Sequence, residues 1–166
     1  MPLEISVDKN EIIDELEAAL LDNFDTVDCP LTHKFVPGMY IREIFMPAGA
    51  VVTSLIHKTT HPFFILKGKV SVFSENDGTQ LLEAPYSGIT TPGTRRVLNI
   101  HEDTIWITCH AIDIKPTDNS DESVQAAVNE ITEEIIEKHE NLFLGGIIKN
   151  NVLKESKLPE LETIKI

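Results

Sequence analysis

The sequence has little cysteine and no long apolar run. Its two cysteines, Cys29 and Cys109, form neither a CxxC motif nor a metal-binding spacing with histidine, so we expect no disulfide framework and no structural zinc site. No apolar stretch approaches the roughly 20 residues that cross a bilayer, and the N-terminus lacks the basic and apolar regions of a signal peptide. The sequence therefore predicts a cytoplasmic protein, in a cell or in an infected host, without a membrane partner.

Positive charge is also scarce. Lys and Arg number 14 against 27 Asp and Glu, which gives a formal net charge of -13 at pH 7. General nucleic-acid binding needs concentrated Lys and Arg, whereas these residues are scattered here. The sequence also has no glycine-rich phosphate loop, HExxH motif or nucleophile elbow. These absences argue against general nucleic-acid binding, although one local basic spot can still bind a small anion.

Hydrophobic residues, in contrast, are numerous enough to build one core. They make up 42% of the 166 residues, which indicates a single domain. Between residues 39 and 114, about eight short β-rich runs alternate with turns such as Pro47 to Gly49. Another turn is expected at Lys67 to Lys69. Because no helix-length pattern interrupts these runs, the segment is predicted to fold as a sandwich or barrel of the jelly-roll kind.

Helices are predicted on both sides of the β-rich segment. In residues 1–38, Asp8 and Glu11 resemble a capping box, and the helix that they begin is followed by an irregular connection. In residues 115–146, Ser120 can cap an acidic helix with one apolar stripe. The stripe consists of Val124, Val128, Ile131, Ile135 and Leu142. Its spacing allows packing either on the barrel of the same chain or on a second copy.

Two histidines, His57 and His61, lie close together in the stretch from Ile56 to Val72. Residues of the same parity share one face of a strand, so both histidines lie at the mouth of the barrel if their apolar neighbours face inward. Two imidazoles there suit a divalent transition metal, but two ligands alone hold it weakly. A third ligand has to come from another part of the chain.

Two stretches resemble the motifs of the cupin superfamily. The first cupin motif has the form HxH, three or four residues, Glu, six residues, Gly. If Gly68 is its glycine, His61 occupies the glutamate position, His57 the second histidine position and Leu55 the first. The second motif has a Pro-x-Gly-x-x-His core, and the stretch from Thr91 to Arg96 matches it with the proline moved by one and arginine in place of histidine.

This resemblance implies a mainly β fold, the RmlC-like double-stranded β-helix or jelly-roll barrel, with a helix on each side and a C-terminal extended arm. It covers roughly residues 39–114. The order of the same motifs also resembles small cupin-like proteins encoded by bacteriophages. That second resemblance implies a viral gene without implying an activity.

The resemblance also implies a histidine metal site. His101 begins the short segment His101 to Asp103, which is expected to be a loop of possible ligands. Together, His57, His61 and His101 could hold Zn, Fe, Mn or Ni with open positions for water, as in catalytic three-histidine centres. The alternative is that these histidines only form hydrogen bonds in a polar barrel mouth.

Arginine at the position of a metal ligand allows a different site. A guanidinium is always charged and matches carboxylate or phosphate, so Arg96 inside a barrel would turn a cation site into an anion site. Arg95, Trp106 and His110 complete the predicted ligand-binding set. In an extended run only one of the two arginines points inward, and the motif favours Arg96. Alternatively, Arg96 links strands by pairing with one of three carboxylates, namely Glu43, Glu83 or Glu102.

Three functions follow from these patterns. The first is a small-molecule-binding or metal-dependent cupin that uses the three predicted histidines. The second is non-catalytic capture of an anionic metabolite or nucleotide through Arg96. The third is a phage structural or assembly protein in which the jelly roll is only a scaffold. In each case we expect a homo-oligomer, a dimer or larger, that uses the acidic helix and the arm formed by residues 147–166.

Overall fold

The computed structural model describes residues 8–74, 77–137 and 152–156, and it is mainly antiparallel β-sheet with two helices. In chain order the elements are α1 Lys9–Asn23, β1 Phe24–Thr26, β2 Leu31–Val36, β3 Met39–Met46, β4 Val51–Thr53, β5 His61–Ser74, β6 Gly78–Glu83, β7 Tyr86–Thr90, β8 Val97–His110, α2 Asp121–Ile135 and β9 Val152–Ser156. The predicted mainly β fold with one helix on each side is confirmed. Neither described helix is long and apolar enough to cross a membrane.

Two long strands, β5 and β8, organise the sheet. Strand β8 pairs with β3, β4 and β5, and β5 also pairs with β6 and β7. The register places Tyr40 opposite His110, Phe63 opposite Thr108 and His61 opposite Thr90. Because directly opposed residues share a face of the sheet, four different strands contribute polar side chains to one interior.

The turn predicted at Lys67 to Lys69 is wrong, because β5 runs without interruption through Gly68. The pairing with β8 changes register between Lys67 and Lys69, which is a β-bulge. Gly68 has φ +106°, and a Cβ there would lie 2.7 Å from the carbonyl oxygen of Asp103. Glycine is therefore needed both for the positive φ and for the close approach to the Asp103 carbonyl. In the sequence, a glycine between polar residues looks the same in a bulge as in a turn.

The segment from His101 to Asp103 is not a loop, and this prediction is also wrong. Strand β8 extends from Val97 to His110, and Leu98, Ile100, Thr104 and Trp106 are buried along it. The exposed polar side chains of the segment resemble those of a loop in the sequence. Because Glu102 pairs with Lys69 of β5, and the residues before and after the segment pair with β3, β4 and β5, it remains part of the strand.

Helix α1 begins as predicted at Asp8, whose side chain accepts a hydrogen bond from the amide of Asn10. Its buried face consists of Ile13, Glu17 and Leu20. Ile12, the apolar residue before Ile13, is 52% exposed. A buried glutamate needs a partner, and that partner is Arg95.

Arg95 connects α1 to the sheet. Its Nη2 donates to Oε1 of Glu17 and its Nη1 donates to Oδ1 of Asp14, both at 2.9 Å. Its Nε donates to the carbonyl of Ser54 at 3.3 Å. The Thr53 hydroxyl donates to the same Glu17 oxygen at 2.6 Å. The side chain of Arg95 is fully buried, so this ion pair fixes the helix against the sheet.

Helix α2 packs on the barrel of its own chain, which is one of the two arrangements that its stripe allows. Ser120 caps it as predicted, and Ile131 and Ile135 are buried against Tyr40. The helix ends at Ile135, earlier than predicted, because the chain then pairs with the segment before β5: the Lys58 amide donates to the Ile135 carbonyl at 2.8 Å. Residues 138–151, which include the predicted helix end, lie outside the described residues.

Candidate functional site

A cavity of about 380 Å³ lies inside the sheet and beneath α2. This volume is within the range of small-molecule sites, about 300–1,000 Å³. Its ionisable lining residues are His33, Tyr40, Arg42, His57, His61, Arg96 and His110. Among the described lining residues none is Asp or Glu. The cavity wall therefore carries positive charge without a balancing carboxylate.

Arg96 lines this cavity and is held by three contacts. Its backbone amide donates to the Ser54 hydroxyl at 2.7 Å, and its Nη1 donates to the Thr90 hydroxyl at 2.9 Å. Its Cζ lies 4.9 Å from the centre of the Phe63 ring, a cation–π contact. Burial lowers the pKa of Arg96, while Asp77 acts in the opposite direction. The guanidinium is positioned by neutral groups.

The alternative in which Arg96 pairs with Glu43, Glu83 or Glu102 is wrong. Within residues 8–74, 77–137 and 152–156, no carboxylate forms a salt bridge with Arg96. Arg96 faces the cavity, whereas none of the three glutamates lines it, and Glu83 and Glu102 are exposed. Arg95, its neighbour, does not line the cavity, since its guanidinium is used by the contacts with α1.

Arg42 is a second arginine in the cavity, and the sequence analysis missed it. It lies on β3 between Tyr40 and Ile44, which are both buried and also line the cavity. Burial lowers its pKa, and no described carboxylate forms a salt bridge with it. The sequence does carry a signal for this position. Arg42 has the same strand parity as Tyr40, Ile44 and Met46, so it shares their inward face.

The titratable neighbours of Arg42 do not neutralise it. Burial raises the pKa of the Tyr40 phenol to about 12 and that of the Cys29 thiol to about 12. Both groups are therefore uncharged at pH 7. Arg42 is half-buried. Because removing an unpaired charge from water costs free energy, an anion beside this side chain would offset that cost.

Three histidines form a cluster on the cavity wall. The ring centres of His57 and His61 are 4.7 Å apart, and those of His61 and His110 are 4.3 Å apart. His57 Nδ1, His61 Nε2 and His110 Nδ1 are buried and have no hydrogen-bond partner among the described residues. Burial is the main cause that lowers all three pKa values, that of His110 to about 3. The cluster is uncharged at pH 7.

The histidines reach the cavity by different routes. Strand β4 ends at Thr53, so strand parity does not position His57. Instead, the backbone of His57 forms hydrogen bonds with Gly93 and Thr94 and a bridge with Ile136. His61 begins β5 and has the predicted inward direction, and its Nδ1 bonds to the Thr59 carbonyl at 3.1 Å.

His101, the third predicted metal ligand, lies outside the cavity. It is exposed, and its Nε2 forms a 2.6 Å hydrogen bond with the Ser71 hydroxyl. On the continuous strand β8 its parity is opposite to that of Ile100, which is buried. The structure brings His110 to the other two histidines instead. Trp106 lines the cavity and stacks on Phe63 with ring centres 4.6 Å apart.

No protein-family model matches the sequence, and no curated protein is similar to it in sequence. The cupin domain of Schizosaccharomyces pombe Cnp3 is 21% identical, with a TM-score of 0.44, over 54% of this chain and 64% of that domain, less than two thirds of its length. An RmlC-like cupin family protein with a double-stranded β-helix fold from Methanocaldococcus jannaschii is 11% identical, with a TM-score of 0.43, over 54% of this chain and 84% of that one.

KdgF from Halomonas sp. is 15% identical, with a TM-score of 0.41, over 52% of this chain and 83% of that one. Likenesses this distant concern the fold and carry no function with them. The resemblance to bacteriophage-encoded proteins stays a prediction. The function proposed below rests on the cavity of this chain.

The cavity side chains do not fit a resident divalent metal. Neutral imidazoles are suitable donors, but the charges of Arg42 and Arg96 oppose a cation in the same space. In the part of the chain that the structure describes, no group of three or more His, Cys, Asp or Glu is arranged to hold a metal ion. The Zn, Fe, Mn or Ni site stays a prediction, and the two arginine charges oppose it.

Proposed function

We propose that this protein binds an anionic small molecule in the cavity through Arg42 and Arg96. One observation carries the proposal: two guanidinium groups line a cavity whose described lining contains no carboxylate. An anion between them supplies the missing countercharge, and it relieves the cost of burying positive charge. This is the second of the three functions that the sequence suggested, with Arg42 added.

The rest of the lining defines the kind of anion. A guanidinium presents parallel N–H groups that match the oxygens of a carboxylate or phosphate. Part of the wall is apolar and contains Ile44, Val52, Leu98 and Trp106. We therefore expect a small organic acid, with its acid group at the arginines and its carbon body against the apolar wall.

A thermal-shift screen with organic acids, nucleotides and inorganic phosphate tests this proposal. A ligand at one hundred times its dissociation constant stabilises the fold by about 2.7 kcal/mol, which raises the melting temperature by several degrees. We expect at least one acid to give such a shift in the wild type. The shift should disappear in Arg96→Ala and in Arg42→Ala.

The matched control is Lys34→Ala, which removes a positive charge from an exposed position on β2. It should leave the ligand shift unchanged. If no acid stabilises the wild type, or if both arginine variants retain the full shift, the proposal is wrong. The metal hypothesis is tested separately by elemental analysis of protein purified with added metal, where it requires close to one equivalent.

A further inference from the structure

His61 presents a hydrogen-bond acceptor to the cavity. Its Nδ1 lies 3.1 Å from the Thr59 carbonyl oxygen, and a carbonyl can only accept. The proton of the neutral imidazole is therefore on Nδ1, which leaves a lone pair on Nε2. The other two histidines of the cluster lack such an assignment. Among the described residues the ring of His110 bonds to the Thr108 hydroxyl, which donates or accepts, and Nδ1 of His57 has no partner.

Within the described residues, the acceptor at Nε2 has no donor. His61 is 2% exposed, and Nε2 has no hydrogen-bond partner among the described residues. Burial lowers its pKa and the charge of Arg96 acts in the same direction, while the bond to Thr59 opposes them. The ring is therefore neutral at pH 7, and a buried acceptor without a donor costs free energy.

The acceptor lies close to the proposed acid site. His61 is directly opposite Thr90 in the pairing of β5 with β7, and the Thr90 hydroxyl accepts the hydrogen bond from Arg96 Nη1. Directly opposed residues have Cβ atoms about 5 Å apart. One small molecule can therefore contact the guanidinium of Arg96 and the imidazole of His61 at the same time.

Together, these contacts identify the class of ligand. The geometry points to a hydroxy acid, whose acid group contacts Arg96 and whose hydroxyl, on a carbon near that group, donates to Nε2 of His61. This inference rests on the proposed function. An ammonium group could also donate, but two arginines repel it and no described lining residue is Asp or Glu. Amino acids are therefore excluded in favour of hydroxy acids.

Matched pairs of acids with and without the hydroxyl test the inference by calorimetric titration. The pairs are 2-hydroxyhexanoate with hexanoate, mandelate with phenylacetate, and 2-hydroxypropyl phosphate with propyl phosphate. A further acid, 2-aminohexanoate, tests the ammonium group. One hydrogen bond corresponds to a factor of about three to ten in affinity. We expect the hydroxylated member of the pair that fits the cavity to bind tighter by this factor, and 2-aminohexanoate to bind more weakly than hexanoate.

Variants then assign the preference to His61. His61→Phe keeps a planar ring but removes the acceptor, so both members of a pair should bind with equal affinity. His61→Gln returns an acceptor oxygen and should restore part of the preference. The matched control is His101→Phe, which changes an exposed histidine outside the cavity and should keep the full preference.

The outcomes separate this inference from the proposed function. If acids bind through the arginines but the hydroxyl makes no difference in any pair, the inference is wrong and the proposed function stands. The same holds if His61→Phe keeps the preference. If no acid binds at all, both are wrong. Should His61→Phe fail to fold, the paired titrations of the wild type decide alone.

Discussion

At the scale of the residue, Arg42 shows a conflict between stability and binding. Its side chain faces the cavity without a described carboxylate partner, and its titratable neighbours Tyr40 and Cys29 are neutral at pH 7. A binding site commonly keeps an unfavourable group of this kind because the ligand needs it. Removing the charge of Arg42 should therefore change the free energy of unfolding of the free protein.

Arg42→Met should therefore raise the stability of the free protein and abolish binding. Methionine has a similar length and no charge, so we expect the free energy of unfolding to increase by about 1–3 kcal/mol. Urea denaturation without ligand measures the increase, and the thermal-shift assay measures the loss of binding. A free energy of unfolding below that of the wild type would show that Arg42 stabilises the fold.

The histidine cluster predicts a pH dependence of stability. The pKa of His110 falls from its usual 6.5 to about 3 in the folded protein. The unfolded chain therefore binds more protons below pH 6.5, and the stability present above pH 6.5 is lost as the pH falls toward 3. Between pH 7 and pH 5 the free energy of unfolding should decrease by about 2 kcal/mol through this residue.

Urea denaturation at the two pH values measures this decrease. In His110→Phe the decrease should be smaller, because the variant has one buried histidine fewer. The exposed His101 provides the control, and His101→Phe should show the full decrease. Equal pH dependence in His110→Phe and the wild type would contradict the assignment.

At the scale of the element, the position of α1 depends on one buried ion pair. Arg95 contacts both Asp14 and Glu17, and Glu17 also accepts from Thr53. The next residue of the chain, Arg96, lines the cavity. Arg95 therefore fixes the helix on one side of the backbone, and Arg96 lines the cavity on the other side.

Glu17→Ala should destabilise the protein strongly. It removes one of the two described carboxylates that contact the buried guanidinium of Arg95, which should cost about 3 kcal/mol of unfolding free energy. Chemical denaturation measures the loss. Glu15→Ala removes an exposed carboxylate from the same helix and should change the value by less than about 0.5 kcal/mol. Similar effects of the two substitutions would show that the ion pair does not fix the helix.

At the scale of the whole molecule, an apolar surface on β5 and β7 supports the proposal of a homo-oligomer. Leu66 is 57% exposed, Ile89 is 61% exposed, and Phe64 lies between them on the outer face. Exposed apolar residues that are contiguous mark interaction sites more often than isolated ones do. A second copy of this chain is the partner that we propose for this surface.

Ile89→Lys should therefore convert the protein into a monomer. A charged side chain in the centre of an apolar interface carries a desolvation cost, which opposes association. Light scattering after size exclusion measures the molar mass. Thr32→Lys, at an exposed position on β2, is the control and should leave the mass unchanged. A wild-type protein with the mass of one chain would end this proposal.

The sequence by itself determined the fold class and the caps of both helices. These properties depend on local pattern, which needs no knowledge of strand pairing. The inward direction of His61 also followed from strand parity. By contrast, Gly68 and the segment from His101 to Asp103 were misread, because a bulge and an exposed strand have the composition of a turn and a loop.

Only the tertiary structure decided which side chains meet in the cavity. His110 and Arg42 lie on β8 and β3, far from His57 and Arg96 in the sequence, and the register of the antiparallel pairs brings them together. The same register turns His101 outward and directs Arg95 to α1. Long-range pairing of this kind has no local signal. The proposal of an anion site in place of the expected metal centre therefore rests on the pairing of strands, not on any motif.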